Sequence, residues 1–328
     1  MPDASPPRET SPPRETSPPR ETSPPPVNDP FSTPAGFRSG FVALVGRPNV
    51  GKSTLVNRAL GRKVSITASK PQTTRHRVAG VLSGDAFQLV LIDIPGFQKP
   101  RDALTQRMQN LVETTISEVD AVLFLLDGGE RLGRGDRFIA RALAMSSVPK
   151  VVAVNKSDLA PRDRQGRLEE EIAELVPGAE IRRVSALQGD GVPELMERLV
   201  AVLPEGPRYF PPGVVTDQPE EALAAEFIRE KLIAVMEEEI PHALAVEVLE
   251  MVPREESDLL YIRAAIYVER DSQKPIVLGR GGAVIKQVGV EARKEIEWLL
   301  GSRVYLDLVV KVRKHWRRDG RMLDGLGL

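Results

Sequence analysis

Short apolar runs alternate with amphipathic stretches over the first two thirds of the chain. The apolar runs are typical of buried parallel strands and lie at Phe41–Val45, Gln88–Ile92, Ala121–Leu126, Val151–Val154 and Ile181–Val184. A further strand, Val78–Ser83, is predicted at the sheet edge. The intervening pattern predicts helices near Thr54–Leu60, Leu104–Val119, Arg137–Met145, Arg167–Leu175 and Pro193–Leu203. This alternation predicts an α/β domain with a mostly parallel, doubly wound sheet.

The last third of the chain has a different order of elements. A proline- and glycine-rich segment, Pro204–Pro219, predicts a semi-rigid linker. Beyond it the pattern predicts a helix, two strands, a short apolar strand, a longer helix and a final strand. These elements are Glu220–Glu239, Ala243–Met251, Leu259–Val268, Pro275–Leu278, Ala283 to about Leu300, and Val304–Val312. The order predicts a smaller α+β domain.

Length and composition limit the classes of protein that fit this pattern. The 328 residues suffice for about two domains, and 41% apolar with 28% charged residues is typical of a globular chain. The lack of cysteine excludes disulfides, thiol catalysis and cysteine-ligated zinc, and the three histidines lack metal-ligand spacing. No apolar run approaches the roughly 20 residues of a membrane helix, and the polar N-terminus indicates no signal peptide. We therefore expect a cytoplasmic protein.

The first 36 residues form a proline-rich repeat. The hexapeptide Ser-Pro-Pro-Arg-Glu-Thr begins at residues 5, 11 and 17 and starts again at residue 23. Proline at this density, with few apolar side chains, predicts a disordered tail. The predicted limits are therefore a tail over 1–36, a first domain over 37–204, a linker over 205–218 and a second domain over 219–328.

One glycine-rich loop follows the first strand and precedes the first helix. It fits the phosphate-loop pattern of two glycines separated by four residues, then lysine and serine. The backbone N–H groups of such a loop and the helix N-terminus bind a phosphate. Lys52 is predicted to reach the outer phosphates, and the Ser53 hydroxyl to bind Mg²⁺. The predicted nucleotide-binding residues here are Gly46, Arg47, Pro48, Asn49, Val50, Gly51, Lys52, Ser53 and Thr54.

A second motif follows the strand Gln88–Ile92. Ligands bind at the carboxyl ends of strands in such sheets, and this motif lies at one of those ends. Asp93 is predicted to hold Mg²⁺ through a water. The Gly96 N–H is predicted to meet the terminal phosphate, because no side chain blocks the approach. The predicted contacts are Asp93, Ile94, Pro95, Gly96 and Phe97.

Two further motifs predict guanine specificity. The carboxylate of Asp158 can accept hydrogen bonds from guanine N1–H and from its exocyclic amino group. Adenine would leave that carboxylate unpaired, so the site discriminates strongly. Lys156 is predicted to lie over the base, Asn155 to tie loops together, and the loop at Ser185 to offer an N–H to the guanine oxygen. The predicted base-contacting residues are Asn155, Lys156, Ser157, Asp158, Ser185, Ala186 and Leu187.

The segment 71–77 holds two threonines among polar residues and is predicted to be mobile. A threonine there can complete the coordination of Mg²⁺ when the terminal phosphate is present. Loss of that phosphate would release the segment, as in other nucleotide switches. Both Thr73 and Thr74 are predicted at the nucleotide, and Thr74 is favoured as the metal ligand beside Ser53 and Asp93.

A Gly-x-x-Gly loop and a basic C-terminal end predict RNA binding. A loop without side chains lets the backbone approach a nucleic-acid strand, as in K-homology (KH) domains. Residues 270–321 hold 13 basic and 6 acidic residues, a formal +7, whereas residues 219–269 hold 4 and 13, a formal −9. Basic residues around Trp316 suit phosphate contact and base stacking, and Trp298 is predicted to pack in the core. The predicted RNA contacts are Gly279, Arg280, Gly281, Gly282, Lys286, Lys311, Arg313, Lys314, Arg317 and Arg318.

Taken together, these motifs resemble the translation-factor-related GTPases, and residues 46–54 with 71–77 resemble the Era-like family. The resemblance covers about 290 residues and implies a P-loop GTPase domain followed by a type II KH domain. Phe97 stands where Ras-like enzymes carry a water-positioning glutamine, so no catalytic side chain is identified and slow hydrolysis is expected. In related GTPases an asparagine at the position of Asn49 helps to bind K⁺. The implied cofactors are GTP or GDP, Mg²⁺ and, as a candidate, K⁺.

The resemblance also implies a cellular role. It implies hydrolysis of GTP to GDP and phosphate, and binding to 16S ribosomal RNA near its 3′ end on the 30S subunit during ribosome assembly. Nucleotide state would gate the affinity for RNA, and a peripheral pool at the inner membrane is implied; we expect a monomer. Two alternatives stay open: a second domain that binds protein or membrane rather than RNA, and a nucleotide-dependent scaffold with negligible hydrolysis. The glycine loop also fits a plain helix cap.

Overall fold

Two sheets organise the chain. The computed structural model describes residues 30–68, 70, 73–97, 100–159, 165–254 and 259–328. The strands are β1 (Arg38–Val45), β2 (Val78–Ser83), β3 (Phe87–Asp93), β4 (Ala121–Asp127), β5 (Lys150–Asn155), β6 (Glu180–Arg183), β7 (Ala245–Pro253), β8 (Leu259–Val268) and β9 (Arg303–Val312). The first sheet has the order β2-β3-β1-β4-β5-β6 and the second the order β7-β8-β9. The predicted tail lies mainly outside the described residues.

Ten α-helices are present in the described ranges. They are α1 (Lys52–Leu60), α2 (Ala103–Glu118), α3 (Arg134–Ala144), α4 (Gln165–Leu175), α5 (Val192–Val202), α6 (Glu220–Val235), α7 (Ile240–Ala243), α8 (Lys274–Leu278), α9 (Ala283–Leu300) and α10 (Gly320–Gly325). Helices α1 and α5 pack on one face of the first sheet, and α2, α3 and α4 on the other. Among these helices, none combines the length and the apolar character that a membrane span requires.

The first sheet confirms the predicted doubly wound α/β fold. Strand β2 lies at the edge and runs antiparallel to β3, whereas all other neighbours in this sheet are parallel. The parallel strands therefore end along one edge, where Asp93, Asp127 and Asn155 are the last residues of β3, β4 and β5. The buried positions of the central strands are mostly apolar, as expected for a sheet covered on both faces.

The proline-rich segment between the two domains lies along β2. The Val81 N–H donates to the Val215 carbonyl oxygen at 2.9 Å, so the open edge of this strand is covered. The buried side chain of Gln88 in β3 accepts from the Tyr209 and Phe210 N–H groups at 2.7 and 2.9 Å. This contact explains a glutamine in a strand that is otherwise apolar.

The second domain has α6, α8 and α9 packed on one face of its sheet. Strands β7 and β8 are antiparallel, and β8 and β9 are parallel. The predicted strand Pro275–Leu278 is wrong, because this run forms the helix α8. Proline is favoured in the first turn of a helix, and the Gly279 N–H closes α8 on the Pro275 carbonyl oxygen at 2.9 Å. Strand β7 begins at Ala245, two residues later than predicted, because α7 precedes it.

Both tryptophans differ from the prediction. Trp298 was expected in the core, but 63% of its surface is exposed, because it lies at the margin of the apolar face of α9. Trp316 was expected to stack on bases, but it is 1% exposed and donates its indole N–H to the Ala243 carbonyl oxygen at 2.9 Å. Trp316 is therefore a packing residue.

The C-terminal segment and α2 pack on the outer face of the second sheet. Trp316 and Leu323 pack against Ala265 and Tyr267 of β8, and Leu104 and Met108 of α2 join the same apolar cluster. Arg317 forms an ion pair with Asp102, which caps the N-terminus of α2. The two domains thus share a packed interface.

Candidate functional site

A cavity of about 390 Å³ opens over the glycine-rich loop. A larger cavity, about 520 Å³, lies between residues 74–78, α2 and α6; it shares Ile66 and Thr74 with the first but is not lined by the glycine-rich loop. The smaller volume is within the range of ligand pockets, about 300–1,000 Å³. The predicted residues that line it are Pro48, Asn49, Gly51, Lys52, Ser53, Thr54, Thr73, Thr74, Gly96 and Lys156.

Lys52 lies buried at the start of α1. Its ammonium group donates to the carbonyl oxygens of Gly46 and Arg47 at 3.3 and 3.2 Å. Burial lowers the pKa of Lys52 to about 8, and the nearby Asp93 carboxylate opposes that shift. An anion placed in this cavity would be stabilised by the buried ammonium group far more than by one in water.

The three predicted metal ligands meet at the end of the loop, and the Ser65 hydroxyl joins them by donating to Asp93 Oδ2 at 2.6 Å. The Ser53 hydroxyl donates to Asp93 Oδ2 at 2.6 Å and lies 3.0 Å from the Thr74 hydroxyl oxygen. Asp93 is fully buried, burial raises its pKa, and its Oδ1 atom has no hydrogen-bond partner. A buried carboxylate oxygen with no donor, beside two hydroxyls, fits a hard cation such as Mg²⁺.

Gly96 lines the cavity together with Lys52, and Phe97 follows it in the chain. A side-chain carbon at Gly96 would lie 2.7 Å from the Pro48 nitrogen, so only glycine allows this close approach. The Phe97 ring packs edge-on against Phe138 with centroids 6.0 Å apart. Phe97 therefore presents no polar atom from its side chain for orienting a water. Arg47 is turned away, toward Glu130 and Asp136, each at 2.8 Å.

The predicted base-binding motifs meet beside the phosphate loop, and Lys156 is the one of their described residues that lines the cavity. Asn155 donates to the Val50 carbonyl oxygen at 2.8 Å and accepts the Ala186 N–H at 2.9 Å, so it joins the phosphate loop to the Ser185 loop. The Ser185 hydroxyl donates to Asp158 Oδ1 at 2.7 Å. Lys156 has a φ of 61° and reaches Asp127 at 2.5 Å. The Asp158 carboxylate is thereby oriented while it stays exposed to a ligand.

The Gly-x-x-Gly loop connects α8 to α9. Gly279, Gly281 and Gly282 have φ values of 74°, 60° and 79°, a region that favours glycine. Arg280 and Lys286 are exposed beside them. The loop therefore offers backbone and cationic groups on one surface.

The predicted basic end divides into two groups. Lys314, Arg313 and Arg318 are exposed, although Lys314 lies 3.4 Å from Asp271. Arg317 instead contacts Asp102 and lies 3.9 Å from Glu269. Its guanidinium group thus stabilises the domain interface, which differs from the exposed position expected for an RNA contact.

Periodicity did not reveal how residues 63–68, 70 and 73–77 dock on the second domain. Arg75 is buried and donates to the Leu244 carbonyl oxygen at 2.6 Å, and to those of Pro241 and His242 at 3.3 and 3.2 Å. Burial lowers the pKa of Arg75, and the neighbouring charge of Arg229 lowers it further.

Two further contacts hold the same segment. The Thr67 N–H donates to Glu230 of α6 at 2.8 Å, and the Lys63 ammonium group lies 2.6 Å from Glu295 of α9. The segment that brings Thr74 to the cavity therefore also contacts the helix that follows the Gly-x-x-Gly loop. The only signal in the sequence was a cluster of cationic residues among polar ones.

Known proteins share both domains in this order. The family described as "50S ribosome-binding GTPase" matches residues 41–156, and the KH domain family matches residues 239–317. GTPase Era of Mycobacterium sp. (strain KMS) is 50% identical over 296 residues, 89% of this chain and 99% of the relative. GTPase Era of Mycobacterium tuberculosis (strain ATCC 25177 / H37Ra) is 48% identical over the same shares.

Two solved structures extend the similarity to the whole fold. A crystal structure of Era in complex with MgGDPNP and nucleotides 1506–1542 of 16S ribosomal RNA matches with a TM-score of 0.86 and 38% identity. Aquifex aeolicus Era bound to GDP and AlF4⁻ matches with a TM-score of 0.85 and 38% identity. Each match covers 89% of this chain and 99% of the other. The chain therefore belongs to the Era family of GTPases.

Proposed function

We propose that this chain binds and hydrolyses GTP with Mg²⁺ and binds 16S ribosomal RNA near its 3′ end, in assembly of the small ribosomal subunit. The observation that carries the proposal is the meeting of Ser53, Thr74 and the unpartnered Asp93 oxygen in a chain that also has a Gly-x-x-Gly loop. The Era structure that holds MgGDPNP and 16S nucleotides 1506–1542 supports the ligand and the RNA.

Each end of the nucleotide would have its own set of residues. The phosphate loop and Lys52 would bind the phosphates, and Ser53, Thr74 and Asp93 would hold Mg²⁺, with Asp93 acting through a water. When bound there, Mg²⁺ would supply positive charge that stabilises the charge developing on the phosphates during hydrolysis. Asp158, held by Ser185, would accept the guanine hydrogen bonds.

The RNA surface would centre on the Gly-x-x-Gly loop. Its contacts are proposed to be Gly279, Arg280, Gly281, Gly282, Lys286, Lys311, Arg313, Lys314 and Arg318. A protein or membrane partner in place of RNA is not favoured, because the KH domain family matches this region. We leave Arg317 out of the set, because it is paired at the domain interface.

We infer that residues 63–77 couple the two sites. Thr74 lies at the metal ligands, while Arg75 and Lys63 contact elements of the second domain. A change at the terminal phosphate that moves Thr74 would disturb these buried contacts. Nucleotide state would thereby change the affinity of the second domain for RNA, as expected for a segment with two arrangements.

Single-turnover hydrolysis tests the enzyme. With excess protein, we expect one GTP to be converted to GDP and phosphate per site, slowly, and at a rate that changes when 16S nucleotides 1506–1542 are added. Lys52→Ala is the control that sets the background. A wild-type rate equal to that background, with and without RNA, would show a scaffold rather than an enzyme.

Comparing GTP hydrolysis in K⁺ and in Na⁺ tests whether a bound cation promotes the reaction in a chain that lacks the usual glutamine. We expect GTP turnover at least about tenfold faster in K⁺ than in Na⁺, because a cation beside Asn49 would stabilise the phosphate charge in the transition state. The matched variant is Asn49→Gly, since Asn49 has a φ of 64° that glycine accommodates. This variant should lose the difference. Equal wild-type rates in the two salts would refute the role of K⁺.

The domain limits, the oligomeric state and the cellular location are also proposed. The domain limits 37–204 and 219–328 are supported by two sheets that share no strand. We propose a monomer in the cytoplasm, with a pool held at anionic membrane by the exposed basic end. Sedimentation with vesicles that contain or lack anionic lipid measures that pool, and equal binding to both would argue against it.

A further inference from the structure

A third cavity lies between the two domains, next to the base-binding loop. Its volume is about 370 Å³, and its walls come from the end of α1, from Ala186 and Leu187, and from Trp298 of α9. We call it the interdomain slot. It adjoins the cavity over the phosphate loop, because Thr54 and Thr67 line both, and Leu187 brings it beside the proposed guanine site.

Trp298 gives the slot an aromatic wall. Its side chain is 63% exposed, whereas the other tryptophan of the chain, Trp316, is 1% exposed. Leu187, at 69% exposure, lies on the same slot. Single exposed apolar residues are common on protein surfaces. Here two large exposed apolar side chains, one from each domain, line the same cavity, which is typical of a binding surface.

The charges around the slot favour an anionic occupant. Arg58, Arg62 and Lys63 line it, and none of its described lining residues is acidic. Arg58 donates to the carbonyl oxygens of Ala186 and Leu187, and Lys63 is paired with Glu230 and Glu295. Arg62 is exposed and has no ion pair or hydrogen bond with the described residues. One cation is therefore available beside the indole ring.

An aromatic ring and an unpaired arginine in the same slot can bind the base and the phosphate of one nucleotide in a single strand. Bases stack on aromatic side chains with little dependence on sequence, and arginine binds the phosphates. We propose that the interdomain slot takes one base of the bound RNA, stacked on Trp298, with its phosphate on Arg62. This inference rests on the proposed RNA-binding function and adds a second contact, formed by both domains.

The slot lies at the opposite end of α9 from the Gly-x-x-Gly loop. Sixteen residues separate Gly282 from Trp298, which is about 24 Å along the helix axis. At a rise of roughly 3.4 Å per stacked base, a strand of about seven nucleotides would span this distance. The RNA of 16S nucleotides 1506–1542 is long enough to contact both places.

Affinity for that RNA tests the slot. We expect Trp298→Ala and Arg62→Glu each to raise the Kd by about tenfold, and Trp298→Phe to keep most of the affinity. The matched controls are Tyr305→Ala, which removes an aromatic ring that is 58% exposed on the second sheet, and Arg141→Glu on the exposed surface of α3. Both should leave the Kd unchanged. Thermal unfolding of each variant confirms that the fold is intact.

Tryptophan fluorescence gives a second measurement. Acrylamide should quench wild-type emission mainly through Trp298, because Trp316 is buried, and bound RNA should protect it. A Kd unaffected by Trp298→Ala and Arg62→Glu, with Gly281→Asp still weakening binding, would overturn the slot and leave the proposed function intact. If none of the three variants changes the Kd, the proposed RNA-binding function fails as well.

Discussion

Replacing Asp158 with asparagine is expected to lower the affinity for GTP by at least about 100-fold and to raise the affinity for xanthosine triphosphate. The carboxylate is exposed and is oriented by the Ser185 hydroxyl at 2.7 Å. Guanine presents two donors to that position, whereas an amide would set an N–H₂ group against one of them. Xanthine carries an oxygen in place of the exocyclic amine, which an amide can satisfy.

Competition with a fluorescent nucleotide measures both affinities on the same protein. Asp85→Asn is the matched control, because Asp85 is exposed in the turn between β2 and β3, and the same charge is removed there. That variant should keep the wild-type preference. If the Asp158→Asn protein still prefers GTP, Asp158 does not bind the guanine base.

Gly281→Asp is expected to weaken binding of 16S nucleotides 1506–1542 by at least about tenfold without changing basal GTP hydrolysis. The position has a φ of 60°, and a side-chain carbon built there has no atom within 4 Å. Aspartate is among the residues that tolerate this backbone region. The fold should therefore persist, while the new carboxylate faces the path proposed for an RNA phosphate.

The control for Gly281→Asp tests the same substitution far from RNA. Gly178, between α4 and β6, has a φ of 76° and likewise no atom within 4 Å of an added side-chain carbon. Gly178→Asp has the same backbone cost and adds the same charge, but it should leave RNA affinity unchanged. Equal Kd values for Gly281→Asp and wild type would argue that the loop is only a helix cap.

The elements of the first domain could be predicted because β1, β3, β4 and β5 are mostly apolar runs, whereas β6 contains only one apolar residue. Buried parallel strands and amphipathic helices leave different periodicities, and the phosphate loop marks the point where one becomes the other. The prediction of a strand at Pro275–Leu278 failed because four apolar residues fit a strand or a buried helix equally well. Only the proline in the first turn favoured the helix.

Contacts between the domains could not be predicted from periodicity. Trp298 follows the core residue Val288 by ten positions, which at about 100° per residue places it some 80° around α9. Whether such a marginal residue is buried depends on what packs beside it. The same holds for Arg75, whose acceptors lie more than 160 residues away in the chain.

The docking of Arg75 also affects how the two domains can be studied apart. A chain cut within residues 205–218 would lose the three carbonyl acceptors that this guanidinium group now has. The group would then turn to solvent, and the threonine next to it would sample a different set of positions. Nucleotide kinetics measured on such an excised fragment would describe the fragment itself, because part of the switch is built from the other domain.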